Sequence, residues 1–275
     1  MILVTGATGT VGSAVCERLK AESEPVRAAV RSPEHYDGPA TDVVRFDFTD
    51  PTTYRAAFKD VSAVFLVRPP AISRVQRDII PALAGAVSAG VTHIVFLSVI
   101  GAERNPLIPH ARIESWLSAV EISTTFLRAS FFMQNLSTTH REEIANGTLS
   151  VPAGAGKTSV VDARDVAAAA AKSFVDGITG AFDLTGPTAV DYETVCELLS
   201  AELPHTVTYH NISIPRFIIR QARSQPILKA IVMTGIYTTA RFGLADRVSS
   251  DLQHHFDQEP TPLSTFITDY QSAWS

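Results

Sequence analysis

The strongest constraint on this chain is a nine-residue turn near its start, Val4-Thr5-Gly6-Ala7-Thr8-Gly9-Thr10-Val11-Gly12. The apolar run Ile2-Leu3-Val4 leads into it and an amphipathic run beginning at Val11 leads out, so the turn joins a strand to a helix. Each glycine then has a physical use. Gly6 permits the tight turn off the strand, Gly9 removes a Cβ so that backbone can approach a pyrophosphate, and Gly12 lets the helix lie close on the sheet. The amides of Thr10 and Val11 open the helix and meet an anion at the positive end of its dipole. Gly6, Thr8, Gly9, Thr10, Val11 and Gly12 are therefore the expected cradle of a dinucleotide. Glycine spacing alone is a weak signal; the strand–turn–helix setting gives it weight.

Such a turn needs a parallel sheet around it, and the next 120 or so residues supply one. Short β-rich runs at 2–5, 26–30, 43–46, 63–67, 93–98 and 123–128 alternate with helical patterns at 11–20, 52–58, 73–89 and 113–119. Val64-Phe65-Leu66-Val67 and Ile94-Val95-Phe96-Leu97 are unbroken apolar runs, as strands covered on both faces must be. The fold class is α/β, a doubly wound parallel sheet of the Rossmann type with right-handed crossovers, followed by a smaller, mostly helical C-terminal lobe. The expected division is a dinucleotide-binding domain over 1–150 and a substrate-facing lobe over 151–275, with a return of later segments to the main sheet left open. In the second half, 165–174 and 192–202 read as helices and 180–185 as a strand. The tail from Pro215 reads as helix with breaks at Pro226, Gly235, Gly243 and Pro260-Thr261-Pro262.

Composition removes several classes of function. Hydrophobic residues at 45% and charged residues at 19% allow a large core. A net charge of −5 gives no basic stripe for nucleic acid, and none is expected as a partner. Cys16 and Cys196 form neither a disulfide framework nor a metal spacing. His254 and His255 are adjacent, so on a helix they point about 100° apart, and no metal is expected. No apolar run is long enough to span a bilayer and no basic region precedes the first strand, so no membrane partner is expected and the default compartment is the cytoplasm. Gly154-Ala155-Gly156-Lys157-Thr158 imitates a phosphate-binding loop, but such a loop needs a glycine where Val151 stands, and a hairpin turn is expected instead. Arg216, Arg220 and Arg223, at helical spacing, read as a solvated face, with an interaction surface left open.

The second strand bears on the nucleotide, although Arg31 also reads as a solvated surface arginine. An NAD site usually has an acid at the end of this strand to grip the ribose hydroxyls. Here Val26-Arg27-Ala28-Ala29-Val30 ends in Arg31-Ser32. A guanidinium can fork onto a 2′-phosphate that an acid would repel, so Arg31 and Ser32 favour NADP(H), with NAD(H) the lesser alternative.

Taken together, the glycine turn, Arg31, Phe46-Asp47-Phe48-Thr49-Asp50-Pro51 and Phe131-Phe132-Met133-Gln134-Asn135-Leu136 resemble the NmrA-like proteins, atypical members of the short-chain dehydrogenase/reductase superfamily. The likeness covers about the first 190 residues and thins in the C-terminal third. It implies further cofactor contacts: Asp47 and Phe48 at the adenine, Val67, Arg68 and Pro69 beside the ribose, and Ser98 and Val99 beneath the nicotinamide. Phe132 and Asn135 would close over its edge, although Phe131 and Phe132 read equally well as core.

Ordinary members of the superfamily use a Tyr-x-x-x-Lys pair with the tyrosine as proton donor. The corresponding stretch here is Pro109-His110-Ala111-Arg112-Ile113-Glu114, and no tyrosine lies between Tyr54 and Tyr192. NmrA-like relatives commonly carry Lys-x-x-x-Glu at this place, so His110 stands where that lysine would. His110 and Glu114 share a helix face. They are the expected catalytic pair, His110 as proton donor or ribose contact and Glu114 as its orienter, against the plain alternative of a helix-terminal histidine paired with Glu114.

The resemblance implies an NADPH-dependent reductase of a small unsaturated or aromatic acceptor such as a quinone, azo compound, imine or enone. Candidate pocket walls include 99–108, 131–136, Phe217, Ile236, Tyr237 and Phe242. Two other classes stay open: a redox sensor that binds the nucleotide without turnover, and a non-redox catalyst with structural NADP. The expected partner is a small-molecule substrate, and a homodimer is left open.

Overall fold

A computed structural model describes residues 1–224 and 227–275; of residues 223, 224, 228 and 229 only the backbone is described. In chain order, the elements through the first 130 residues are β1 (Ile2–Thr5), α1 (Thr10–Ala21), β2 (Val26–Val30), β3 (Asp42–Arg45), α2 (Tyr54–Ala57), β4 (Ala63–Leu66), α3 (Val75–Asp78), α4 (Ile80–Ser88), β5 (His93–Val99), α5 (Pro109–Leu117) and β6 (Ser123–Ala129). There follow β7 (Phe131–Phe132), α6 (Gln134–Ser137), α7 (Arg141–Ala145), β8 (Thr148–Val151), β9 (Thr158–Val161), α8 (Ala163–Val175), β10 (Gly180–Leu184), β11 (Ala189–Val190), α9 (Tyr192–Glu202) and β12 (Thr208–Asn211). The tail holds α10 (Ile214–Ser224), α11 (Ile227–Arg241), α12 (Asp251–Phe256) and α13 (Leu263–Asp269). The break expected at Pro226 lies outside the described residues.

The chain divides into two compact units that interleave along the sequence instead of meeting near residue 150. The first is Met1–Ala129, Ala163–Leu184 and Asp251–Gln258; the second is Ser130–Asp162, Thr185–Ser250 and Glu259–Ser275. The first unit is a seven-stranded sheet in the order β10-β6-β5-β4-β1-β2-β3, with every pair parallel. All residues of β1 and β4 are buried, as strands covered on both faces require. The strand order reverses between β1 and β4, which makes the carboxyl ends of these two strands the topological switch point. Thr5 ties the strands together there: its hydroxyl accepts from Val67 N at 2.7 Å and donates to Phe65 O at 3.2 Å.

One expected helix becomes two. Pro81 has no N–H to offer the carbonyl four residues back, and its ring crowds that carbonyl. The pattern over 73–89 therefore breaks at Ile79 into α3 and α4, with Pro81 in the first turn of α4, where a missing N–H matters least.

The second unit has its own core around Phe217, Tyr237, Phe266 and Trp274, each at most 2% exposed. Phe217 and Tyr237 are thus core residues and not pocket walls, while Phe242 is 68% exposed. Its two small sheets correct the hairpin expected around 154–158. β8 pairs with β12, and β9 pairs with β7 and β11, so the turn passes between sheets. Gly156 is needed there because a Cβ would fall 1.9 Å from Ala240 O. The expected basic face on α10 is also split. Arg220 is drawn to Glu143, with 2.7 Å between Nη2 and Oε1, and donates to Ser150 O at 2.5 Å. Arg216 stays exposed, and the Arg223 side chain lies outside the described residues. In the first unit His255 packs on Phe182 with centroids 4.9 Å apart. No described helix is long and apolar enough to cross a membrane.

Candidate functional site

At the switch point the glycine turn has a geometry that only its residue types allow. Gly6 adopts φ +65°, in the left-handed region, and its carbonyl accepts from Gly9 N at 2.9 Å. A Cβ on Gly12 would sit 2.2 Å from Gly6 O, so α1 approaches the turn too closely for any other residue. The first amide of the α1 region to find a helical acceptor is Ser13 N, bonded to Gly9 O at 2.9 Å. The amides of Thr10, Val11 and Gly12 are left at the positive end of the helix, whose first turn holds no acid. Thr8, Gly9 and Thr10 are exposed, while the Val11 side chain is buried and offers only its backbone.

Gly6, Thr8 and Gly9 line a cavity of about 540 Å³ together with Arg31, Asp47, Phe48, Val67, Arg68 and Pro69. The carboxyl ends of β1, β2, β3 and β4 thus bring together most of the residues expected to hold a cofactor. Arg31 is exposed at the end of β2, and no described carboxylate pairs with it. Ser32 is also exposed and opens the turn that follows. Asp47 turns into its own loop, where Oδ1 accepts from Thr49 N at 2.8 Å and Thr49 Oγ1 at 2.7 Å. The Phe48 ring is buried against Phe46, with centroids 4.8 Å apart. Arg68 folds back on the loop it begins, its Nη1 donating to Pro69 O at 2.9 Å and Ile72 O at 2.8 Å. Its Nε is buried with no described partner, and burial holds the guanidinium below its ordinary value. An unpaired guanidinium at the strand end, free helix amides and a second guanidinium in one cavity fit an anionic dinucleotide.

On the β5 side, α5 carries the expected pair, and the structure separates its members. Glu114 does not orient His110. Its carboxylate is only 8% exposed and takes a fork from Arg128, Nη2 to Oε2 at 2.6 Å and Nε to Oε1 at 3.1 Å. Ser98 Oγ donates to the same Oε1 at 2.5 Å. Ser98 and Arg128 are register neighbours on β5 and β6, so both reach up to one carboxylate, which ties α5 to the sheet. A planar guanidinium fork outcompetes an imidazole one turn away for a buried carboxylate.

His110 instead stacks on Phe96, with centroids 5.8 Å apart and 23° between planes. Burial pushes its ring down to about 4, helped by the positive charge of Arg68. At pH 7 only about one His110 in a thousand carries a proton, which removes the imidazolium as a stock of protons and leaves a neutral ring able to give or take a hydrogen bond. Val99 is half-buried at the end of β5. Phe132 and Asn135 belong to the second unit, on β7 and α6, both half-buried.

The sequence pattern of the NmrA-like family matches residues 1–267. The chain belongs to the NmrA-like family. It is 32% identical over 226 residues to an NAD(P)H azoreductase from Xenophilus azovorans, covering 78% of each chain. It is also 26% identical to prestalk A differentiation protein A from Dictyostelium discoideum, over 96% of this chain and 90% of that one. Among solved structures, an NADPH-dependent quinone oxidoreductase from Escherichia coli superposes with a TM-score of 0.85 at 25% identity, covering 98% of this chain and 99% of that one.

The NmrA-like chain also uses residues that its sequence did not single out. Arg128 was the missing partner of Glu114, and a lone arginine in the apolar strand Phe126-Leu127-Arg128-Ala129 was the available signal, since a charge there must be paired. Phe96, the platform under His110, was hidden in an ordinary apolar run.

Proposed function

We propose that this NmrA-like protein is an NADPH-dependent reductase of small, electron-poor acceptors, with quinones and azo or related dyes foremost. The observation that carries the reading is the single cavity that joins the open amide end of α1 to the unpaired Arg31. Free amides suit the pyrophosphate, and Arg31, with Ser32 beside it, suits a 2′-phosphate that an acid would repel. Thr8, Thr10, Val11, Asp47, Phe48, Val67, Arg68 and Pro69 complete the binding surface. Ser98 and Val99 lie beneath the nicotinamide in this reading. The nucleotide, when bound, supplies the hydride; the chain orients it and keeps the acceptor's approach dry.

His110 serves as a neutral hydrogen-bonding group for the cofactor ribose, held flat by Phe96. Glu114 is a positioning residue, fixing α5 through Arg128 and Ser98. The acceptor takes its proton from water, which suits a quinone whose reduced form protonates readily and does not suit a simple ketone.

The test is NADPH fluorescence with the protein at comparable concentration, then addition of quinone, azo, imine and enone acceptors, with NADH for comparison. Tight NADPH binding and oxidation with quinone or dye is the expected result. Binding without oxidation of any acceptor would leave a sensor or a structural nucleotide in its place. His110→Ala is expected to weaken NADPH binding and leave the pH profile of kcat unaltered. A rate limb that disappears in that variant would restore histidine as the acid.

A further inference from the structure

The helix α11 is apolar on the side that faces water as well as the side that faces the core. At 100° per residue, the buried positions Ala230, Met233, Thr234, Tyr237 and Ala240 fall in one arc of about 120°. The opposite arc, about 140° wide, carries Ile227, Ile231, Val232, Gly235 and Thr239, with Phe242 in phase just past the helix end. Ile227 is 56% exposed, Ile231 and Val232 each 54%, and Phe242 68%. This ridge runs roughly 20 Å without a charged residue. A surface helix ordinarily turns charge toward water, so an apolar outer face marks a surface that is covered by something. The neighbouring helix α10, which packs on α11, adds Ile219 at 59% exposure.

Formal charge along this stretch of sequence has one sign. From Leu203 to Ala245 the sequence contains no Asp or Glu, yet it holds Arg216, Arg220, Arg223, Lys229 and Arg241, in a chain whose net charge is −5. Glu143 pairs with Arg220. Arg216 is exposed with no described carboxylate partner, and Arg241 donates to the neutral oxygens Pro152 O and Asn211 Oδ1. A second copy docked here about a two-fold axis would set the exposed Arg216 and its acid-free stretch of sequence against themselves, like charge on like. An anionic bilayer satisfies both features at once, its acyl region taking the aliphatic side chains and its phosphates Arg216. We infer that the α10–α11 face docks this protein on anionic lipid membranes, with α11 lying in the interface plane. Fifteen residues are too few to span, so the absence of a spanning helix among the described residues bears on a different mode of contact.

The test floats the full chain with vesicles of phosphatidylcholine alone and with vesicles containing roughly 30 mol % phosphatidylglycerol. The protein is expected to float with the anionic vesicles only. Arg216→Gln is expected to lower the partition about fivefold, the worth of one cation at such a surface. The double change Ile231→Glu with Val232→Glu should lower it by more than about tenfold. Melting temperature and NADPH oxidation with a water-soluble quinone should match wild type in both variants. No flotation, equal flotation on both vesicle types, or flotation indifferent to the double change would each overturn the inference. So would a wild-type dimer in sedimentation that Ile231→Glu turns into monomer, since the ridge would then belong to a second copy.

Discussion

Replacing Glu114 with Ala should be among the most damaging single changes in the first unit. Glu114 and Arg128 side chains are 8% and 16% exposed, and the pair is bidentate. Removing the carboxylate leaves the Arg128 guanidinium, with little access to water, only its longer 3.4 Å pair to Glu103, and it leaves a Ser98 hydroxyl, 1% exposed, without its acceptor. Breaking a buried pair from one side costs about 3–5 kcal/mol, mostly the penalty of the stranded charge. In a protein of this size each kcal/mol moves Tm by about 2–4 °C, so the expected fall is roughly 6–20 °C. The companion variant Glu114→Leu with Arg128→Met removes both charges and should recover most of the loss, because an apolar pair of similar volume suits the same space. Thermal and urea unfolding of wild type, both singles and the double close the cycle. NADPH titration reads the second consequence, a weaker site once α5 and His110 lose their tether. A fall in Tm below about 3 °C for Glu114→Ala, or a double variant no better than the single, would refute the assignment of Glu114 to this pair.

Other consequences follow from the same geometry. His110 sits at about 4 against an ordinary value near 6.5, so the unfolded chain takes the proton first as pH falls. Stability tied to His110 is therefore present above about pH 6.5 and is lost toward pH 4, by up to about 3 kcal/mol. Urea midpoints should show that slope in wild type and not in His110→Leu, and equal slopes would contradict it. Arg31→Ala should weaken NADPH binding about 10- to 100-fold, as loss of a charge-assisted bond would, and leave NADH binding little changed. Equal losses for the two nucleotides in fluorescence titration would place Arg31 away from the 2′-phosphate. Gly12→Ala puts a Cβ 2.2 Å from Gly6 O, so it should cost about 1–3 kcal/mol in urea unfolding and impair nucleotide binding. Wild-type stability in that variant would show that the turn is looser than drawn.

Where the backbone dictates residue type, the sequence is easy to read. Gly6 and Gly12 announce the turn because one needs positive φ and the other has no room for a Cβ. The sheet strands were legible because burial on both faces leaves a continuous apolar run, and β2 matches its expected bounds at both ends. Side-chain pairing across elements was not legible. Glu114 and His110 share a helix face by spacing alone, but the carboxylate answers to Arg128 on a strand, and no periodicity links positions 114 and 128. The strand β12, Thr208-Tyr209-His210-Asn211, was hidden because it is mostly exposed and takes its strand character from pairing with β8. The split at Pro81 was available from the residue itself and was lost by letting the apolar pattern override a missing donor.

The site geometry also restricts the kind of reduction open to the protein. Carbonyl reduction creates an alkoxide that needs a proton as it forms, and the wider superfamily meets this with tyrosine. In this chain the two candidate donors on α5 are both withdrawn from that task. His110 is neutral at pH 7 because burial and Arg68 oppose its charge, and Glu114 gives both oxygens to Arg128 and Ser98. Restoring a donor by evolution would require undoing the tie that holds α5 to β5 and β6, since the same carboxylate would have to serve both ends. On the proposed function, the arrangement suits acceptors whose reduced forms are weakly basic, such as quinones and conjugated dyes, for which hydride delivery is the difficult step and protonation from water suffices. A direct comparison is available: a quinone and a simple ketone of similar size, offered at equal concentration with saturating NADPH. The quinone should be reduced at least about a hundredfold faster, the scale of the missing general acid. Comparable rates would mean that an acid reaches the acceptor from some group other than His110 or Glu114, and that the chemistry of α5 has been misread.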